Sequence, residues 1–182
     1  MRTRFLCFLL AFLLVVPAAC GQSRARVRKS TDVLMFVPVA AGFATTLALK
    51  DYDGLKQLAL GGSTALAASY LLELCIKKDR PDGDGHHAFP STHTVVAFQG
   101  AAFIQRRYGW QYGIPAYLLA GYVGWGRIYA RRHDIWDVLA GAAIGVAGSY
   151  IFTRPLARDV NLSLVPATFG TSHVGFHASL RF

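Results

Sequence analysis

Along the 182-residue chain, apolar residues gather in long runs parted by short polar islands. The runs cover Val33 to Leu49, Leu55 to Ile76, Thr94 to Gln105, Ile114 to Tyr129 and Trp136 to Phe152. Each is rich in helix formers or in small residues at helical spacing, which predicts five helices, or six with an apolar segment at the N-terminus. The breaks between them hold turn residues: Lys50-Asp51-Tyr52-Asp53-Gly54, a longer Asp82-Gly83-Asp84-Gly85 loop, and Arg106 to Gly113. Inside the runs, Gly61, Gly62, Ala67 and Ala68, and later Gly141, Ala142, Gly145 and Gly148, leave room for neighbouring helices to approach closely. From Asn161 the period changes. Val174, Phe176, Ala178 and Leu180 alternate with smaller or polar residues, as in a short strand, so a small hairpin or a loose tail ends the chain.

At the N-terminus, Arg2 and Arg4 precede an apolar run from Phe5 to Val16 and a small-residue zone from Pro17 to Gly21. That layout suits a secretory leader or, uncleaved, a first membrane helix. A basic connector, Arg24 to Lys29, follows. The length suits one domain with a sizeable core and not two, which gives a leader or anchor over 1–21, one domain over 22–158 and a tail over 159–182.

Composition narrows the class. With 53% hydrophobic residues and 18 glycines, the chain resembles a helical membrane protein more than a cytosolic enzyme. No run after the N-terminus is both long and free of polar residues, so a soluble helical globule stays open. The formal charge of +9 suits anionic partners, either phosphate groups or acidic lipid. Nucleic acid is disfavoured, because the cations do not line one amphipathic face and no nucleic-acid motif is present. Cys7 and Cys20 lie in the N-terminal apolar segment and leave Cys75 alone, so neither a disulfide framework nor a zinc knuckle is readable. Helices that cross a bilayer in alternation would place Lys50, Lys56, Arg106, Arg107, Arg154 and Arg158 on one, cytoplasmic side. Arg80, His93, Arg127 and His133 would then meet on the periplasmic or exterior side. Trp110, Tyr112, Trp125, Tyr129 and Trp136 fall near helix ends, which suits interfacial anchoring or core packing.

Three polar islands carry the chemistry. The first, KKDRPDGDG from Lys77 to Gly85, follows a helix, with Pro81 as a stop. The second, FPSTHT from Phe89 to Thr94, offers Ser91 as the N-cap of a helix whose first amides suit an oxyanion. The third, GRIYARRHDIWD from Gly126 to Asp137, sets His133 and Asp137 four residues apart, on one helical face. There Asp137 can hold the Nδ1 proton of His133 and leave Nε2 free. Arg80 and Arg127 can grip a tetrahedral anion through several donors at once.

In order and spacing these islands resemble the three signature motifs of the type 2 phosphatidic acid phosphatase and vanadium haloperoxidase superfamily. The matching residues are Arg80-Pro81, Pro90-Ser91-Thr92-His93, and Arg127 with His133 and Asp137, over about Leu66 to Phe152. The resemblance implies an all-α bundle embedded in a membrane, and a phosphatase acting on a lipid phosphate or diphosphate. Candidate substrates are phosphatidic acid, phosphatidylglycerol phosphate, a polyprenyl diphosphate and lipid A. It implies that His133 attacks phosphorus and becomes a phosphohistidine, that Asp137 orients it, and that His93 protonates the leaving oxygen and later helps activate water. Arg80, Arg127, Ser91 and nearby amides would hold the nonbridging oxygens. No metal and no other cofactor enters that scheme, and the oligomeric state stays open.

Three positions depart from the family pattern. Glu73 stands where the first motif has Lys, which leaves Lys77, one helical turn later, as the replacement cation. Thr92 stands for Gly in the second motif, with a hydroxyl that can donate to phosphate. Gly126 stands for the Ser that commonly precedes the third-motif Arg. Four alternatives remain at this stage: a soluble secreted acid phosphatase, a vanadate-dependent haloperoxidase, a metal site using His86, His93, His133 and Asp137, and a noncatalytic phospholipid-binding membrane protein, for which Glu73 is the clue.

Overall fold

A computed structural model describes residues 23–83 and 88–156 in full, and the backbone of 161–169 and 173–181. The leader or anchor expected over 1–21 lies outside the described residues. Helices α1 (Arg24–Leu34), α2 (Val37–Ala48), α3 (Tyr52–Cys75), α4 (Thr92–Tyr108), α5 (Trp110–Tyr129) and α6 (Ile135–Phe152) precede strands β1 (Asn161–Phe169) and β2 (His173–Arg181).

The five apolar runs are helical, the first of them broken at residues 35–36, and three features differ from expectation for identifiable reasons. The connector Arg24 to Lys29 is part of α1, because Val27 and Thr31, four apart, form a buried stripe that the surrounding cations mask in the sequence. That helix stops at Leu34 because Pro38 has no N–H to return to its carbonyl, and α2 starts with Pro38 in its first turn. The turn expected from Arg106 to Gly113 shrinks to Gly109, whose φ of 98° reverses the chain directly between α4 and α5. At the C-terminus the strand period holds. β1 and β2 pair antiparallel from Asn161↔Arg181 to Phe169↔His173, which makes the tail a hairpin.

α4 is the central helix and packs against α2, α3, α5 and α6. Val95, Ala97, Ala101, Ala102 and Phe103 are buried around its circumference, so it has no water-facing side. The surrounding helices turn Phe43, Leu60, Leu71, Trp125, Leu139 and Ile151 outward. Arg24–Ala48, Tyr52–Cys75 and Ile135–Phe152 are long and apolar enough to cross a membrane. An apolar core inside an equally apolar exterior is what a bilayer requires of an all-α membrane fold.

Small residues set the helix spacing. A Cβ at Gly145 would lie 2.4 Å from the Val95 carbonyl, one at Gly141 2.6 Å from that of Ser91, and one at Gly61 2.9 Å from that of Gly148. α6 therefore touches the backbones of α4 and α3 directly. Gly62, by contrast, has only ordinary contact distances to Gln99, and Ala67 is exposed. At one end of the bundle, buried Asp51 accepts hydrogen bonds from Arg107 Nε at 2.8 Å, Tyr108 at 3.1 Å and its own helix amide Gly54 at 2.9 Å. Arg107 also donates to the Arg154 carbonyl at 2.9 Å. The three polar islands gather at the other end.

Candidate active site

The first island enters in extended form. α3 ends at Cys75 and Ile76 already has strand-like dihedrals, so side chains alternate from there on. Lys78 and Arg80 turn inward, whereas Lys77 is exposed. The lysine brought to the site is thus Lys78, not Lys77, because the helical turn on which Lys77 was counted does not exist. Lys78 Nζ donates to Asp137 Oδ1 at 2.7 Å and to Asp134 Oδ2. Both carboxylates raise the pKa of Lys78 against the opposing effect of its burial. Glu73 makes no hydrogen bond or ion pair among the described residues.

In the second island, Ser91 is the fully buried N-cap of α4. Its N–H donates to the Asp137 carbonyl at 3.0 Å, and its Oγ accepts from Thr94 Oγ1 at 3.0 Å. The hydroxyl thus makes no capping bond, and the first amides of α4 are left for another acceptor. Thr92 is exposed at the first helical position.

The third island is held by a capping box. Asp134 accepts from the Asp137 N–H at 3.0 Å, and Asp137 Oδ2 accepts from the Asp134 N–H at 3.0 Å. With one Asp137 oxygen committed there and the other to Lys78, His133 Nδ1 lies 3.8 Å from Asp137 Oδ2, longer than a hydrogen bond. Nδ1 instead bonds the Ala88 carbonyl at 2.8 Å. A carbonyl only accepts, so Nδ1 carries the proton and the Nε2 lone pair is free, the tautomer expected from sequence with a different partner. Burial pushes the His133 imidazole down to about 4, helped by Arg127, Arg80 and His93 and opposed by the Ala88 bond. His133 is 5% exposed and neutral across the physiological range.

Arg80, His93, Arg127 and His133 lie near enough to act on one another's charge. The Nε atoms of Arg80 and Arg127 are buried without a hydrogen-bond partner among the described residues. Two buried guanidinium donors facing one histidine form an anion-binding arrangement. A residue absent from the motifs joins them: Asp32 of α1, whose Oδ1 accepts from Arg127 NH1 at 2.7 Å and meets His93 Nε2 at 2.9 Å. No local pattern marks Asp32, since its partners lie in distant segments. Asp134, the N-cap of α6, and its partner Lys78 were not singled out in the sequence either. α1 also accounts for Gly126, because a Cβ there would fall 2.5 Å from Thr31 Cγ2 and 3.1 Å from Val27 Cγ1. Among the described residues no cluster of His, Cys, Asp and Glu is arranged to hold a metal ion.

Comparison with known proteins identifies the family. Residues 59–159 match the PAP2 superfamily. The chain is 32% identical over 133 residues to a lipid A 4'-phosphatase of Helicobacter pylori, covering 67% of each. Over 71 residues it is 41% identical to a lipid A 1-phosphatase of Porphyromonas gingivalis, covering 37% of this chain and only 16% of that much longer protein. Among solved structures, Aquifex aeolicus LpxE shares the fold with a TM-score of 0.61 and 22% identity, over 79% of this chain and 92% of that one. The family match spans the segment that holds the three motifs, and the chain belongs to the PAP2 superfamily.

Proposed function

We propose that this membrane phosphatase removes a phosphate group from a lipid through a phosphohistidine on His133, with lipid A as the first candidate substrate and the site end outside the cytoplasm. What carries the mechanism is the hydrogen bond from His133 Nδ1 to Ala88, which leaves a neutral imidazole with Nε2 as nucleophile. In the proposed reaction Nε2 attacks phosphorus while the bond to the lipid oxygen breaks, and His93 gives that oxygen a proton. Water then attacks the phosphohistidine and passes its proton to His93, which releases inorganic phosphate and restores His133. Arg80 and Arg127, with Ser91, Thr92 and the first α4 amides, are assigned to the three nonbridging oxygens. Asp137 sits near enough to favour the positive imidazole that forms during transfer, and with Lys78 and Asp134 it fixes the loop carrying His133. Lys77 has no part in this scheme. Lipid A heads the substrates because the two curated relatives carry that name, one for each phosphate position.

The test is phosphate release by the full-length protein in detergent, with chelator present, from lipid A, phosphatidic acid, phosphatidylglycerol phosphate and a polyprenyl diphosphate. Lipid A is expected to turn over fastest, and His133→Ala to lose on the order of 10³-fold or more. Retained turnover in His133→Ala would end the phosphohistidine mechanism. A silent wild type that gains activity in Glu73→Lys would replace catalysis with lipid binding.

A further inference from the structure

Resting on the phosphohistidine reading above, we infer that Asp32 is a positioning residue for His93: its carboxylate fixes the imidazole through Nε2, so that Nδ1 is the atom that protonates the leaving lipid oxygen and deprotonates the attacking water. Asp32 Oδ1 lies 2.9 Å from His93 Nε2. An ionised carboxylate only accepts, which places a proton on Nε2 and leaves Nδ1 for exchange. Nδ1 makes no hydrogen bond among the described residues. The two site histidines thus use opposite nitrogens, Nε2 of His133 for phosphorus and Nδ1 of His93 for protons.

The carboxylate is held firmly in place. α1 buries Val27 and Thr31 against Gly126 of α5, and Ser30 Oγ meets Tyr122 Oη at 3.2 Å. Arg127 NH1 grips the same Oδ1 at 2.7 Å. The charged and titratable groups facing His93 come from every neighbouring segment: Asp32 from α1, Arg127 from α5, Arg80 from the stretch before α4, and His133 from the loop before α6. Burial first and then both arginines push the His93 imidazole down to about 4, with Asp32 the one group that opposes them, so a proton on His93 depends on Asp32 beside it. A general acid in this cationic setting needs that carboxylate. The proton balance closes over the cycle: Nδ1 gives one proton to the lipid oxygen as the phosphorus–oxygen bond breaks and takes one from water as phosphohistidine is hydrolysed.

Asp32→Asn keeps the shape and an acceptor oxygen but removes the charge. Two esters separate its roles: an alkyl phosphate, whose leaving oxygen needs a proton, and 4-nitrophenyl phosphate, whose leaving group does not. For Asp32→Asn, kcat on the alkyl ester is expected to fall roughly 10- to 100-fold, with the basic limb of its pH profile moved about one unit lower or more. The pre-steady-state burst of nitrophenolate should stay within about threefold of wild type, since that step leaves without a proton. Asp32→Glu, which keeps the charge, should restore the basic limb. Equal losses on both esters would reduce Asp32 to a structural part. A lower KM and faster turnover in Asp32→Asn would make it an occupant of the phosphate position on Arg127, and overturn the inference. Activity surviving in His133→Ala would remove the underlying mechanism whatever Asp32 does.

Discussion

The free lone pair of His133 depends on the Ala88 carbonyl, which holds the proton on Nδ1, and on burial beside Arg127 and Arg80, which keeps a second proton off Nε2. Because the folded value of about 4 lies below the ordinary 6.5, His133 is neutral throughout the range above it, and the proposed nucleophile is lost only as pH falls through about 4. The same shift links to stability. Between about 6.5 and about 4 the unfolded chain takes the proton that the folded chain refuses, so stability is present above that window and declines on acidification across it. NMR titration of histidine-labelled protein in detergent, with the His133 resonance assigned by its disappearance in His133→Ala, should give a midpoint near 4. A midpoint at the ordinary value would mean that water reaches the ring and that the nucleophile is not protected. The motif residues Arg80, His93, Arg127, His133 and Asp137 were legible from the order and spacing of the islands together with their resemblance to the family's signature motifs, since islands of fixed spacing survive any tertiary arrangement. The partners that tune them were not. Lys78 in place of Lys77 follows from where α3 stops, Ala88 acts through its backbone, and Asp32 arrives on another helix.

At the scale of elements, the geometry of the proposed site is set by how closely α6 lies on α4. The Ser91 N–H to Asp137 carbonyl bond joins their starts, and Gly141 and Gly145 allow the approach further along. A methyl group at Gly145 would meet the Val95 carbonyl at 2.4 Å and the Gln99 nitrogen at 2.9 Å, both backbone atoms that cannot rotate aside. Gly145→Ala should therefore destabilise by about 1–3 kcal/mol and lower kcat, because α6 must move and carries Asp137 with it. Gly121 of α5 has open space around its Cβ position. Gly121→Ala should stabilise by roughly 0.5–1 kcal/mol through helix propensity and leave kcat unchanged. Thermal unfolding in detergent and initial rates for both variants would check the pair, and similar effects at the two glycines would refute the packing argument. The five long helices and the glycine seam could be read from apolar runs and small-residue spacing. α1 could not, because two buried positions among many cations do not resemble an apolar face until α5 is there to cover them.

For the molecule as a whole, the proposed orientation rests on which cations belong to turns. Lys50, Lys56, Arg106 and Arg154 stand exposed in or beside the short connections at the end closed by Asp51 and Arg107. At the site end, Lys78, Arg127 and Arg132 are each bound to a carboxylate (Asp134 and Asp137, Asp32, and Asp82 respectively), whereas Lys77 and Arg131 are exposed in the connections there, two against four. Those pairs contribute little net charge. α1 adds Arg24, Arg26, Arg28 and Lys29 to the site end, all exposed, and taken alone they weigh against an outward site. They lie, however, on a helix packed along the bundle, where cations meet anionic headgroups, rather than in a short loop, where cations set topology. Arg24, Arg28 and Lys29 also line a cavity of about 470 Å³ whose wall includes Asp32 and Arg132, which places them beside the proposed phosphate site. The proposed orientation is tested with Lys77→Cys and Asp53→Cys, both exposed positions at opposite ends, in a chain whose Cys7, Cys20 and Cys75 are replaced by serine. A membrane-impermeant maleimide added to intact spheroplasts should label Lys77→Cys at once, and Asp53→Cys only after permeabilisation. The reverse pattern would place the site in the cytoplasm and would mean that the α1 cations, not those of the turns, decide how the bundle inserts.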